Sequence, residues 1–388
     1  MRWSRRAFVK GIGCVSVLGA LNKAVASKAS WLAQPEEIFG HDFAYIASTG
    51  DAGSSGIHVF EVQGDHWNLK QSISSRSPGS LVLHPNQQYL YIANDVDEYE
   101  RLPRGTVEAY KIDADDGSLT LINRQPLSLS GIRPRHIAIS PDSEHLVVAI
   151  HGGGAYNVLP IACDGSLGCA TQILKEVGTG AHPVYQTCSH PHTVAFDATG
   201  QYFLATDEGC DRIGAFTFQN GEMVRALQVL ALPASRPSHF AIHPDGTFVY
   251  VASAMDGSID CYCLRTGTME MKFESRVFAN LKTSHEETHP LFISVSGRFL
   301  YAASADDGIS AWEIDREDGK LAPIQHWKST ERSLRVLMMS PDSRCLFAVD
   351  SAQHAVLSIA VDPESGELGT AFTAARIRNA RSLIVKYT

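Results

Sequence analysis

The chain has 388 residues, of which 44% are hydrophobic and 19% charged, enough apolar material for a large packed core. Its net charge of −9 leaves no basic surface of the kind that follows a phosphate backbone, which excludes a nucleic-acid partner. After residue 30 no apolar run approaches the roughly 20 residues that a membrane helix needs.

The first 26 residues run in the order of an export signal: SRRAFVK, then the mildly apolar GIGCVSVLGAL, then NKAVA with small residues suited to cleavage after Ala26. The segment resembles a twin-arginine signal, so the mature chain is expected to be exported, periplasmic or secreted, and free of a membrane anchor. Gly11 before Cys14 does not suit a lipobox. Loss of the five basic residues in this segment leaves 28 basic against 42 acidic residues, a net charge of −14.

From residue 40 to 388 one pattern repeats. FAYIAS and IHVFEV come first, as two strands lacking a partner ahead of them. A turn between two apolar runs then recurs in LVLHPNQQYLYIA, IAISPDSEHLVVA, VAFDATGQYFLAT, FAIHPDGTFVYVA, FISVSGRFLYAAS and VLMMSPDSRCLFAV. Its marker positions are 85, 141, 198, 244, 295 and 341, a period that belongs to radial repeats. Each turn is followed by an alternating strand (TVEAYKI, AYNVLPI, RIGAFTF, SIDCYCL, GISAWEI, AVLSIAV), usually with a D-G-x-L or G-x-L hairpin and a fourth strand behind it. SLIVKY at 382–387 is a first strand with no blade after it. The pattern predicts one all-β domain, a seven-bladed β-propeller of four antiparallel strands per blade, closed by pairing of the N- and C-terminal strands.

Seven cysteines remain after residue 26. The periplasm permits disulfides, with Cys188–Cys210 the first candidate pair and Cys163–Cys169 the second; Cys261 and Cys263 lie two apart on one strand and are badly placed to bond each other.

Three segments carry a family likeness: ANDVDEYERLPRGTVEAYKIDADDGSLTLINRQP, GIRPRHIAISPDSEHLVVAIHGGGAYNVLPIACDGSLG and HPHTVAFDATGQYFLATDEGCDRIGAF. HPHTV followed by D-x-G-x-D-R-I resembles the seven-bladed lactonase family, which includes 6-phosphogluconolactonase and the carboxymuconate lactonising enzymes. The resemblance implies lactone chemistry without a cofactor. It also implies an Arg in a P-R-H motif and a Glu in N-E, which orient a substrate carboxylate and move protons. In RPSHFAIHPDGTFVYVASAM those two positions hold Ser238 and Ala254, with His239 retained, and a third family arginine is replaced by Ala305.

The start of each innermost strand shares a face with the end of the second strand. Six residues before the marker stand Gly79, Arg135, His192, Ser238, His289 and Arg335, with Arg381 equivalent in the closing strand; ten residues after it stand Asp95, His151, Glu208, Ala254, Ala305 and Ser351. One rim thus collects arginines, histidines and carboxylates, suited to clamping an anion and activating water. His192, Glu208 and Arg135 are the candidate catalytic residues, and His136, His151, His190, His239, His289, Arg335, Arg381 and Asp95 the candidate substrate-binding ones. Each of these charges also has a plainer use, satisfying water or a neighbour on a solvated rim. Asp211 and Arg212 read as an ion pair holding the loop before the third strand. No metal is expected: His190-x-His192 alone lacks the spacing of a metal site, and DADDG at 113–117 lacks the terminal Glu of a calcium loop. No G-x-S-x-G elbow, P-loop or dinucleotide fingerprint is present. The expected ligand is a small anionic molecule or a sugar lactone, and the expected activity is opening of a sugar-derived or carboxylated lactone. The alternatives are a non-catalytic propeller that binds a small anion or a protein, and a muconate-type lactonising isomerase. Oligomeric state is not specified by the sequence.

Overall fold

The computed structural model describes residues 42–387, apart from 51–54, 65, 198, 201, 266–269, 280–289, 305–306 and 329–332. The export-like segment, His289 and Ala305 fall outside the described residues. Seven four-stranded antiparallel sheets follow one another along the chain, 28 strands in all among the described residues. The last strand, β28 (Ala380–Lys386), pairs with the first, β1 (Phe43–Ser48), with Phe43 opposite Lys386 and Tyr45 opposite Ile384, and β2 (Gly56–Gln63) continues the same sheet. The expected closure is the one observed.

Burial follows strand position within a blade. The second strands, such as β1 and β5 (Tyr89–Asn94), are buried almost throughout, because each blade lies between two others and both faces of these strands meet apolar neighbours. Fourth strands such as β3 (His66–Ser74) are largely exposed, with only occasional buried positions. The core is correspondingly divided into seven clusters, one of which joins Ala44, Ile46 and Val385 to Phe347, Val349 and Val356 across the closure.

Adjacent blades are tied by a repeated bond. Tyr45, Tyr91, Tyr250 and Tyr301, all buried, donate to the carbonyls of Gly117, Gly165, Gly319 and Gly366 at 2.8–3.1 Å. Each of these glycines is the hairpin glycine ahead of a fourth strand, at φ between 70° and 81°, and lies flat against an aromatic ring. A Cβ on Gly117 would stand 2.3 Å from the Phe43 ring, so this D-G hairpin needs glycine for space as well as for φ.

A second repeated device sets up the channel. Five of the seven inner strands begin at or next to a proline (Pro78, Pro134, Pro191, Pro237 and Pro290), and near the start of most of them the register against the second strand slips, as between Pro134 and His136, Pro191 and Val194, and Pro237 and Phe240; the proline-free strand at Leu334 slips likewise, between Leu334 and Val336. A bulge of this kind re-aims the extra side chain. The residues held in these slips include Arg135, His192, His239 and Arg335.

Candidate active site

The inner strands β4 (Pro78–Leu83), β8 (Pro134–Ile139), β12 (Pro191–Phe196), β16 (Pro237–Ile242), β20 (Leu291–Ile293), β24 (Leu334–Met339) and β28 surround a cavity of about 350 Å³, large enough for a sugar-sized ligand. Its wall includes Arg135, His136, His192, His239, Arg335, Arg381 and Asp95. Seven of the candidate site residues, five of them picked out by repeat position, therefore share one cavity.

The arginines have no acidic partner among the described residues. Their Nε groups go to neutral acceptors: Arg135 to His192 Nε2 at 3.3 Å, Arg335 to Ser351 Oγ at 2.9 Å and Arg381 to Thr49 Oγ1 at 3.2 Å. Although Arg381 is exposed as a whole residue, its guanidinium is drawn below its ordinary value, first by loss of water around it and then by repulsion from Arg335 and Arg135, which Asp95 only partly offsets. Three cations thus converge with only Asp95 as a partial counter-charge, in a chain of net negative charge, an arrangement complementary to an anion.

His192 is 2% exposed, and its tautomer follows from its partners. Arg135 is a donor only, so Nε2 accepts from it and carries the lone pair; Nδ1 then holds the proton and donates to Thr193 Oγ1 at 2.9 Å. Burial, reinforced by Arg135, His239 and His151, keeps the imidazole neutral well below its usual range against the opposing pull of Glu208.

Glu208, 3% exposed, does not reach the cavity wall. A buried carboxylate needs partners, and it finds them behind the wall: Oε2 lies 3.0 Å from Arg236 Nη2 and 3.5 Å from His151 Nε2, while Oε1 lies 3.5 Å from His192 Nε2. Burial alone would raise its pKa, but His151 and Arg236 outweigh that and hold it ionised below the usual carboxylate range. Oε1 has no hydrogen-bond partner among the described residues.

His151 and His190 also stand behind the wall. Their rings stack at 4.6 Å, and His190 Nδ1 meets the His151 carbonyl at 3.0 Å, so the pair buttresses Glu208 instead of facing the ligand space.

Asp211 and Arg212 do not pair with each other. Asp211 accepts from the Gln186 side chain and from the backbone N–H groups of Ala234 and Arg236, whereas Arg212 donates to the Val177 carbonyl and faces Glu176. Asp211 is thus a loop hub, as buried carboxylates facing several N–H groups are. All seven described cysteines are free: the exposed Cys188 thiol faces His190 Nε2 at 3.5 Å, and Cys210 is buried, its thiol pushed up to about 12 by burial and by Asp207. Neither candidate disulfide is formed. Among the described residues no group of three or more His, Cys, Asp or Glu is placed to hold a metal ion.

Residues 43–385 match the family model described as "Lactonase, 7-bladed beta-propeller". The chain belongs to this lactonase family. Among its curated relatives, a 6-phosphogluconolactonase of Formosa agariphila is 26% identical over 325 residues, covering 81% of this chain and 90% of the relative. A 6-phosphogluconolactonase of Bacillus subtilis is 24% identical over 331 residues, covering 84% and 92%. The fold is also that of the Pseudomonas aeruginosa periplasmic gluconolactonase, with a TM-score of 0.77, 22% identity and coverage of 89% of this chain and 99% of that one. A Lactobacillus plantarum protein superposes with a TM-score of 0.78 at 19% identity, over 89% of this chain and all of that one.

The sequence reading missed two groups around this lactonase-family cavity: Arg236, which supplies the cation for Glu208, and Gln186, which donates to the Glu208 carbonyl at 2.7 Å. Arg236 stands two residues before the inner-rim position, outside the register that picked the others. A signal did exist, since the R-P pair at 236–237 repeats the R-P pair at 133–134.

Proposed function

We propose that the protein is a lactone hydrolase acting on a sugar-derived lactone that carries an anionic group. The observation that carries this reading is the Glu208 Oε1 atom, buried, ionised and without a hydrogen-bond partner, 3.5 Å from the lone-pair nitrogen of a neutral, buried His192. A proton arriving on His192 Nε2 gains an acceptor at once, so the imidazolium of the transition state is stabilised more than the resting imidazole.

In the proposed reaction substrate entry draws the Arg135 guanidinium to the lactone carbonyl and frees His192 Nε2 for a water molecule. Nε2 takes the water proton as oxygen attacks the carbonyl carbon, and Arg135 stabilises the developing oxyanion. Collapse breaks the ring C–O bond, the proton passes from His192 to the departing alkoxide, and a hydroxy acid leaves. Arg335 and Arg381, on adjacent blades away from His192, hold the anionic group; the names of the curated relatives support a phosphate there.

The test is hydrolysis of gluconolactone, its 6-phosphate and a muconolactone. His192→Ala should lower kcat at least about 100-fold, the scale of a general base. Arg335→Ala with Arg381→Ala should raise KM at least about tenfold for the phosphorylated lactone and little for the neutral one. No hydrolysis of any of the three by the parent protein, with ligand binding retained, would make the cavity a binding site only.

A further inference from the structure

The blade with Ser238 at its inner-rim position lacks an arginine there, and Ser238 does not replace it: it is fully buried, and its Oγ donates to the Ala252 carbonyl at 3.3 Å. The same blade brings a cation from elsewhere. Arg236, one residue before β16, reaches under the wall and places Nη2 3.0 Å from Glu208 Oε2.

We infer that Arg236 is a positioning residue: it holds the Glu208 carboxylate by Oε2 and keeps it anionic, so that Oε1 remains available to a proton on His192. This rests on the lactone-hydrolase reading and adds to it a residue outside the cavity.

Backbone geometry points the same way. Arg236 sits at φ 54° and Ala234 at φ 62°, both in the left-handed region that disfavours side chains. Such conformations persist only where the surroundings impose them. Here Asp211 imposes them, accepting from Ala234 N at 2.8 Å on one oxygen and from Arg236 N at 2.9 Å on the other. Gln186 ties this hub to the carboxylate, donating to Asp211 Oδ1 at 2.6 Å and to the Glu208 carbonyl at 2.7 Å. The Tyr185 ring then covers the guanidinium, its centroid 5.3 Å from Cζ. In the R-P pair of another blade Arg133 has the same left-handed φ of 51°, yet its exposed side chain pairs with the exposed Asp97. Only at Arg236 does a cover and an anchoring carboxylate turn the side chain inward.

The groups facing Glu208 are His192 from β12, His151 from the end of β9 (His145–Ile150), and Arg236; His239 and Arg135 face His192, and His190 backs His151. Of those in contact with Glu208, Arg236 alone carries a permanent charge. Without it the buried carboxyl would hold a proton at higher pH, and a protonated Oε1 would donate to His192 Nε2 and occupy the lone pair that the water needs.

The experiment compares the parent, Arg236→Met, Arg236→Lys and Arg236→Met with Glu208→Gln, using ¹³C NMR of protein labelled at the Glu carboxyl carbon and the pH profile of gluconolactone 6-phosphate hydrolysis. A carboxyl signal titrating between about pH 5 and 8, absent from the parent and lost again in the double variant, is expected for R236M. The acid limb of kcat/KM should move up by at least about one pH unit, with KM within about twofold, and R236K should lie between. A uniform loss of kcat at all pH values with no new titrating carboxyl would reduce Arg236 to a structural tie and overturn the inference. If R236M does not fold, the same NMR comparison on R236K decides, since a parent-like carboxyl profile with displaced kinetics would also overturn it. If the parent hydrolyses no lactone the proposed function fails, while the carboxyl titration still answers whether Arg236 keeps Glu208 ionised.

Discussion

Buried imidazoles give this cavity a pH signature that belongs to single residues. His136 is partly open to the cavity, but its Nδ1 is sealed from solvent, and burial followed by repulsion from Arg135 pushes its pKa down to about 4. An unfolded chain takes up that proton near pH 6.5, before the native state does, so stability is complete above about 6.5 and is lost as pH falls toward 4. His192 adds to the loss in the same direction, and Glu208, held below the usual range, extends it below the normal glutamate pKa. Glu176, raised by burial ahead of its attraction to Arg225, works the other way. Urea unfolding of His136→Gln between pH 6.5 and 4 should show a slope smaller than the parent's by about one proton, about 1.4 kcal/mol per pH unit. Parallel curves would mean that His136 titrates normally in the native state. The sequence made Arg135, His192, Arg335 and Arg381 legible because all four sit at the same position in the repeat, where side-chain direction is inherited from position, while His239, one residue further on, was legible from the family motif it retains. Glu208 was legible by position too, but its direction was not, because a buried carboxylate turns to whatever cations lie nearby. Arg236 escaped because its approach depends on a left-handed turn held by Asp211 from another loop.

The elements were legible for a different reason: strands buried between blades read as short apolar runs, and hairpin glycines punctuate them. What the pattern does not contain is the tie between blades. Tyr91 looks like one more aromatic in YLYIA until its hydroxyl is seen to reach the Gly165 carbonyl at 3.1 Å, 74 residues later. Because the repeat places the tyrosine on a second strand and the glycine in the next blade's hairpin, the bond helps to fix the angle between two separate sheets. The loop at 176–190 is likewise unreadable as a pattern, since its order comes from His182, whose Nδ1 accepts from two backbone N–H groups, and from Gln186. Tyr91→Phe removes no apolar contact but leaves a buried carbonyl without its donor, and should cost about 1–2 kcal/mol in equilibrium unfolding. Tyr45→Phe, Tyr250→Phe and Tyr301→Phe should behave alike. A cost near zero in all four would show that packing alone sets the blade angles.

At the scale of the whole domain the ring is closed by one strand, and closure serves the cavity as well as the core. Arg381 stands on β28, so the strand that pairs with β1 also delivers one of the three cavity arginines. Remove it and β1 becomes an exposed edge while Ala44 and Ile46 lose Leu383 and Val385 from their cluster. Burying each large aliphatic side chain contributes about 1.5–3 kcal/mol, so two of them with the ladder of hydrogen bonds amount to much of the 5–15 kcal/mol that keeps a typical domain folded. Deletion of residues 380–388 should therefore abolish the cooperative melting transition instead of trimming one blade. A permuted chain that carries residues 380–388 ahead of Phe43 through a flexible linker should recover it, because the same register becomes available within a hairpin. Recovery of folding together with phosphate-lactone binding would show that closure and the anion site are one structural event. A truncated chain that melts within about 3 °C of the parent, a shift worth about 2 kcal/mol in a domain of this size, would show that the other six blades hold the ring without it.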